Sequence, residues 1–192
     1  LSHDMDAPLE LTGKMLIAMP GMADPRFANA VIFMCAYSED GAMGLIVNKP
    51  IQEVPIKDLM AQLSIKVSAS LDDTSLYFGG PVEHGRGFVL HTPEYCSDLS
   101  SMKVNASFSM TATLDILEDI AAGTGPQAAI VALGYSGWGP GQLENEIAQN
   151  GWLICEARPQ LVFAASDDEK WQAALKTIGV DPLTLSATAG RA

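Results

Sequence analysis

Ile130 to Leu153, IVALGYSGWGPGQLENEIAQNGWL, holds a strand, a glycine-rich turn, a helix and a second strand, and its reading decides the fold. The apolar run Ala128–Leu133 has the length of a buried strand, and Gly134, Gly137, Gly139 and Gly141 then interrupt the pattern. Pro140 suits the first helical position, where a missing N–H costs nothing. Leu143 and Ile147, four apart, give that helix its inward face; Glu144 and Glu146 begin the outward one. Asn150-Gly151 closes the helix, and Trp152–Cys155 reads as the next strand.

Upstream, the chain opens with strand-like runs at Lys14–Met19 and Ala30–Tyr37. The turn Ser38-Glu39-Asp40-Gly41 then leads into a third run, Ala42–Asn48, giving an antiparallel hairpin. Between the first two lies a connection containing Asp24-Pro25-Arg26-Phe27, where Pro25 keeps Asp24 extended or turn-like. Pro55 sits at the first position of a short helix carrying Ile56, Leu59, Met60 and Leu63. Short strands are expected at Ser75–Phe78, Gly87–His91 and Phe108–Met110, with Gly79-Gly80-Pro81 as a turn and Glu83-His84-Gly85-Arg86 as a polar loop. Thr111 or Thr113 can cap a helix bearing Leu114, Leu117, Ile120 and Ala121 that ends at Gly123. Downstream, Leu161–Ala164 reads as a strand, and Ser166-Asp167-Asp168-Glu169 has capping-box spacing for a helix with Trp171, Leu175 and Ile178. Hairpins first, then strands mixed with helices, make the class α+β.

The chain has 192 residues, enough for one domain that buries roughly 70% of its unfolded surface. Residues 1–10 read as a loosely held tail, 11–182 as the single domain and 183–192 as a frayed end; His3 falls in the tail and is set aside. No apolar run reaches the roughly 18 residues of a membrane helix. The net charge of −12 repels phosphate backbones and anionic membranes, and no Lys/Arg cluster offsets it. Cys35, Cys96 and Cys155 show no C-x-x-C or metal-type pairing. An odd number of thiols in a chain with its own core points to a reducing, cytoplasmic setting. Cys35 and Cys155 lie in apolar runs as small buried hydrophobes, while Cys96 stands in a polar loop.

Three separated segments, LTGKMLIAMPGMADPRFANAVIFMC with GAMGLIVNKP, then GGPVEHGRGFVLH, then LGYSGWGPGQLENEIAQNGWL, resemble the AlgH/YqgE family of bacterial proteins, in order from Leu11 to at least Trp152. The resemblance implies a single compact α+β domain whose bent, mixed, partly bifurcated sheet forms a pseudo-barrel flanked by helices. Family members carry the label of transcriptional regulators. The resemblance transfers no catalytic residue, cofactor or ligand.

The residues themselves offer several chemistries. Gly134-Tyr135-Ser136-Gly137-Trp138 approaches the nucleophile elbow G-x-S-x-G, but Trp138 stands at the fifth position, and only His84 or His91 could serve as base. The competing reading is a tight turn whose glycines supply positive φ angles. An anion could sit at the following helix N-terminus, against which stand Pro140, the absence of Lys or Arg, and Glu144 and Glu146. Arg86 could clamp a carboxylate and His91 could act as acid or base; equally, they could be an ion-pair partner and a hydrogen-bonded sheet-edge residue. His84 and His91 are seven apart, unlike a helical zinc pair, and neither a metal nor a cofactor is called for. Asp72-Asp73 and Asp167-Asp168 read as loop and helix-start acids. Tyr135, Trp138 and Trp152 could form either a recognition surface or packed core.

The expected ligand groove lies between the glycine-rich segment, the Asp24–Arg26 connection and Asn48. The candidate binding residues are Asp24, Arg26, Asn48, Arg86, His91, Tyr135, Ser136, Trp138 and Gln142. The sequence favours a non-enzymatic binding or regulatory protein with a protein or small-molecule partner over an enzyme. Direct DNA contact fits neither the charge nor any helix-turn-helix pattern, so regulation would be indirect. The alternative is a small-molecule hydrolase using the Gly134–Gly141 segment or His91.

Overall fold

Apolar residues at alternate positions set the sheet. In β1 (Lys14–Ala18), β2 (Val31–Ser38) and β3 (Gly41–Ile46), Met15, Ile17, Val31, Phe33 and Leu45 face one core, while Leu16, Ala18, Ile32 and Ile46 face another. The structure, a computed structural model, describes residues 9–71 and 74–183. Most of the expected tail, the Asp72-Asp73 pair and most of the frayed C-terminal segment therefore lie outside the described residues.

After β4 (Pro50–Ile51) come α1 (Ile56–Gln62), β5 (Leu76–Phe78), β6 (Val82–His91), β7 (Met102–Lys103), β8 (Ser109–Thr111) and α2 (Leu114–Ala122). The chain then forms β9 (Ala129–Trp138), α3 (Gln142–Ala148), β10 (Trp152–Glu156), a π-helical turn over Gln160–Ala164, and α4 (Asp167–Thr177). The main path of the sheet runs β10-β1-β2-β3-β9-β6-β8-β7 and curls into a half-barrel. Nearly all its pairings are antiparallel; β5 pairs parallel with β9 and antiparallel with β4. This is the expected α+β domain with a bent mixed sheet and flanking helices.

Strand β9 organises the sheet differently from the expectation. The glycine-rich segment Gly134–Trp138 is strand, not turn: Ser136–Trp138 pair with Ala42–Gly44 of β3, and Tyr135 pairs with Val82 of β6. Neighbours on both sides supply its backbone hydrogen bonds, which overrides the weak strand propensity of glycine. Since β6 runs along one edge of β9, the other edge is shared by β5 at Val131–Leu133 and β3 beyond it, so the sheet forks at Gly134. Gly134 takes φ +76°, and a Cβ there would stand 2.4 Å from the Gly80 carbonyl oxygen. The kink also changes the strand's phase. Ile130 and Ala132 face the central core, and so does Tyr135, three residues on, while Trp138 joins the second core.

Four further expectations are corrected. Glu83–Arg86 belongs to β6 as an irregular stretch, with the register jumping from Val82 to Gly87. Leu161–Ala164 is a π-helical turn, and its apolar run is explained by Leu161 and Val162 packing into the central core with Ala174 and Leu175 of α4. Gly141, at φ +75°, occupies the N-cap of α3, so Pro140 precedes the helix; Pro55 likewise caps α1 from outside. Thr113 caps α2 by position, but its hydroxyl donates to Asp115 at 2.6 Å and not to the helix backbone. Helix α3 covers the second core through Leu143, and α1 and α2 cover a third through Ile56, Met60, Ile116 and Leu117.

Candidate functional site

The kinked end of β9 and the start of α3 meet the connection between β1 and β2, and a cleft of about 340 Å³ opens there. Trp138 forms its wall and Trp152 lies beside it, with ring centroids 6.2 Å apart and edge to face. Phe27 meets Trp152 edge-on at 5.9 Å. Both indole N–H groups donate to one carboxylate oxygen of Glu146, from Trp138 at 3.1 Å and Trp152 at 2.9 Å. The Gln142 amide donates to the other oxygen at 3.0 Å, and its own carbonyl accepts from the Gly139 N–H at 3.0 Å. Glu146 thus turns inward from a helix face expected to be outward, because two buried indoles need an acceptor.

Asp24 and Arg26 line the same cleft and lock together. The guanidinium donates to both carboxylate oxygens, with Nη2 to Oδ2 at 2.7 Å, and the Arg26 backbone N–H donates to Oδ1 at 3.0 Å. These hydrogen bonds hold the Asp24 carboxyl below its ordinary pKa and Arg26 above its own. The guanidinium also lies over the Phe27 ring, 5.6 Å from its centroid. The loop therefore presents a fixed, paired charge to solvent beside an aromatic wall. On the far side of Gly137 and Trp138 lies a wider, shallow groove of about 630 Å³, lined by Met43, Arg86, Phe88 and Tyr135 among others. Tyr135 meets Phe88 edge-on at 5.6 Å, and the Arg86 guanidinium stacks over Phe88 at 5.0 Å.

Of the nine expected binding residues, Asp24, Arg26, Trp138 and Gln142 come together in the cleft, and Arg86 and Tyr135 lie with Trp138 in the groove. The other three go elsewhere. Asn48 joins two strand ends, accepting from the Val31 N–H and donating to the Asn29 carbonyl, each at 2.9 Å. Ser136 is buried and donates its hydroxyl to the Gly79 carbonyl at 3.1 Å. His91 is buried at the end of β6, with Nδ1 facing the Thr92 carbonyl and Nε2 facing the Thr111 hydroxyl, both at 2.8 Å. A carbonyl can only accept, so Nδ1 carries a proton, and burial lowers the pKa of the ring.

Sequence reasoning missed a buried charge cluster. Lys170, 2% exposed, donates to the Val47 carbonyl at 2.7 Å and pairs with Asp167 at 2.9 Å. Tyr77 donates to Asp167 at 3.0 Å and places its ring 5.2 Å from the ammonium. Burial pushes the Lys170 pKa down and the Tyr77 pKa up. The sequence signal was the Asp167/Lys170 pair at i,i+3, on a helix whose apolar face is otherwise thin. Cys35 and Cys155 are buried, and burial raises their pKa to about 12 and about 11; Cys96 is exposed. No three His, Cys, Asp or Glu side chains among the described residues are grouped to hold a metal ion, and no helix among them is long and apolar enough to cross a membrane.

Comparison with known proteins places the chain. The DUF179, AlgH-like, family model matches residues 15–183. A UPF0301 protein of Ruegeria pomeroyi is 59% identical over 185 residues, covering 96% of this chain and all of that one. A UPF0301 protein of Paracoccus denitrificans is 56% identical over 190 residues, covering 98% of this chain and all of its own. Among solved structures, the AlgH protein of Pseudomonas aeruginosa superposes with a TM-score of 0.76 at 38% identity, over 95% of this chain and 96% of that one. A protein of Corynebacterium diphtheriae, at 21% identity and TM-score 0.74 over 96% and 95% of the two chains, shares the fold. The chain belongs to the AlgH-like family.

Proposed function

We propose that this is a non-enzymatic binding protein that seats a ligand or partner segment in the cleft beside Trp138, and that any regulation of transcription by it runs through such a partner. The observation that carries the reading is a division of labour. The reactive candidates, Ser136 and His91, are buried with their polar atoms satisfied, whereas aromatic rings, a paired Asp24–Arg26 and the Gln142 amide line the open cleft. A rigid aromatic wall with fixed polar groups suits recognition more than turnover. A net charge of −12 argues for a protein or small-molecule partner over nucleic acid, and the buried thiols fit a reducing, cytoplasmic setting. The alternative, a hydrolase using the Gly134–Gly141 segment or His91, has to free Ser136 from the Gly79 carbonyl before any attack.

A thermal-shift screen of nucleotides, metabolites, metals, short peptides and DNA duplexes tests this. A ligand at a hundred times its Kd adds about 2.7 kcal/mol to stability. The expected result is a raised Tm that disappears in Arg26→Ala and Gln142→Ala, both at exposed positions, whose unliganded Tm stays put. Turnover of a screened compound, or DNA retention that weakens steeply with salt, would overturn the reading.

A further inference from the structure

The wide groove of about 630 Å³ lies across Gly137 and Trp138 from the cleft and is built on four consecutive strands of the sheet, β2, β3, β9 and β6. It opens onto the end of the central core, to which Phe88 belongs and against which Met43 and Tyr135 pack. Its volume falls in the range of about 300–1,000 Å³ usual for ligand sites, for which the mouth of a curled sheet is a favoured place. Arg86 is the one cation among the described residues lining it. Arg86 also borders a narrower, mostly apolar groove between α1 and α2, but its guanidinium lies over Phe88, which lines the wide groove alone.

Two groups around Phe88 have unspent hydrogen-bonding capacity. The ring engages a face of the guanidinium and leaves its edge, where the five N–H donors lie, unused. Glu83 is 3.9 Å away with both side chains more than half exposed, too far for a hydrogen bond and worth little as an ion pair. Tyr135 meets the same ring edge-on at 5.6 Å, and its hydroxyl has no partner among the described residues and is not sealed from solvent. The other aromatic donors around the groove are committed. Tyr37 donates to Glu144 at 2.7 Å and the Trp138 indole to Glu146 at 3.1 Å.

We propose that the wide groove binds a flat aromatic monocarboxylate, its head group held by Arg86 and the Tyr135 hydroxyl and its ring set against Met43 and the edge of Tyr135. A guanidinium fork matches a carboxylate in two parallel hydrogen bonds. Asp40 and Glu83 stand at the same groove in a protein of net charge −12, so one arginine balances one negative charge and a dianion meets repulsion. That net charge also removes any general attraction for anions, so the preference for one has to be local. A shallow groove cannot enclose a flexible chain, whereas a rigid ring loses little freedom and gains thioether and edge-to-face contacts. The site is separate from the cleft beside Trp138, and its failure would leave that reading standing.

Calorimetric titration with 2-naphthoate, 2-naphthamide, the saturated decahydro-2-naphthoate and naphthalene-2,6-dicarboxylate, alongside methionine-methyl NMR of the same samples, tests the proposal. Naphthoate should bind saturably, and the neutral amide about tenfold or more weakly for want of a charge-assisted hydrogen bond. The saturated acid should bind about two- to tenfold more weakly, and the dicarboxylate more weakly than naphthoate. Naphthoate should shift the methyl resonance of Met43 and leave that of Met22, which lines the cleft and not the groove. Arg86→Gln should abolish the preference for acid over amide, and Tyr135→Phe should weaken naphthoate about two- to tenfold. Glu83→Gln removes a competing carboxylate and should tighten it; all three variants should keep the wild-type Tm. Absence of saturable binding, equal affinity for the amide or the saturated acid, or tighter binding of the dicarboxylate would each overturn the proposal. So would a shift at Met22 in place of Met43, full affinity in Arg86→Gln or Tyr135→Phe, or no gain in Glu83→Gln.

Discussion

Two glycine pairs a few residues apart are there for different reasons. At Gly79-Gly80 the chain crosses β9 backbone to backbone: a Cβ on Gly79 would sit 2.2 Å from the Gly134 carbonyl oxygen, and one on Gly80 would sit 2.1 Å from the Tyr135 carbonyl carbon. At Gly85 and Gly87, in the same connection and strand, a Cβ would meet open space. The first pair is demanded by the fold at the point where the sheet forks. The second leaves open the groove between α1 and α2. Glycine in a motif therefore says little until its neighbours are known.

The comparison can be broken at the crossing first. Gly79→Ala is expected to cost more than about 4 kcal/mol, the exceptional range for one substitution, because rigid backbone has to move in both crossing segments. Urea denaturation measures it, and a loss under about 1 kcal/mol would mean the crossing yields easily. Next comes the wall that the crossing holds in place. Trp138→Ala empties a packed position and is expected to cost about 3–5 kcal/mol in the same assay. Glu146→Ala leaves two indole N–H groups without their acceptor, at about 1–3 kcal/mol. Glu146→Gln keeps an acceptor oxygen and should cost less.

The smallest effects concern titration and access. His91 has a pKa lowered by burial, so the unfolded chain binds more protons than the folded one between the folded pKa and about 6.5. Stability therefore rises with pH across that window and is lost as pH falls through it. His91→Gln is expected to flatten this slope, read from denaturation midpoints between pH 5 and 7. With Cys35 and Cys155 buried and their thiols raised to about 12 and about 11, an aromatic disulfide reagent at pH 8 should modify Cys96 alone in the native protein and all three thiols after unfolding.

The hairpin was legible because local signals agreed. Alternating apolar residues in β2 and β3 and the turn at Ser38–Gly41 specify the hairpin, which the structure forms with a register shift between Met34 and Ala36. The Gly134–Trp138 strand was not legible, because its order comes from β3 and β6, which the local pattern does not contain. Leu161–Ala164 failed for another reason: a short apolar run is compatible with a buried strand or a buried helical turn. In the candidate site, Asp24, Arg26, Trp138 and Gln142 stood out as polar or aromatic residues in predicted loops or at the start of a predicted helix, and they meet in space. Asn48 and His91 stood out as polar residues at the ends of expected strands, yet they serve the backbone and a neighbouring hydroxyl. Lys170 could not be foreseen as core, since its burial depends on Val47, Tyr77 and Asp167, up to 123 residues away in sequence.

The most direct test of the account makes the same change at both kinds of glycine: the equilibrium unfolding free energies of Gly80→Ala and Gly87→Ala, measured side by side. Gly80 has φ +154° and backbone within reach of any Cβ, so Gly80→Ala should lose several kcal/mol, about 3 or more. Gly87→Ala should match the wild type or gain up to about 1 kcal/mol, as its unfolded chain has less freedom to lose. Equal losses at the two positions would contradict the division between glycines the fold requires and glycines that keep a groove open.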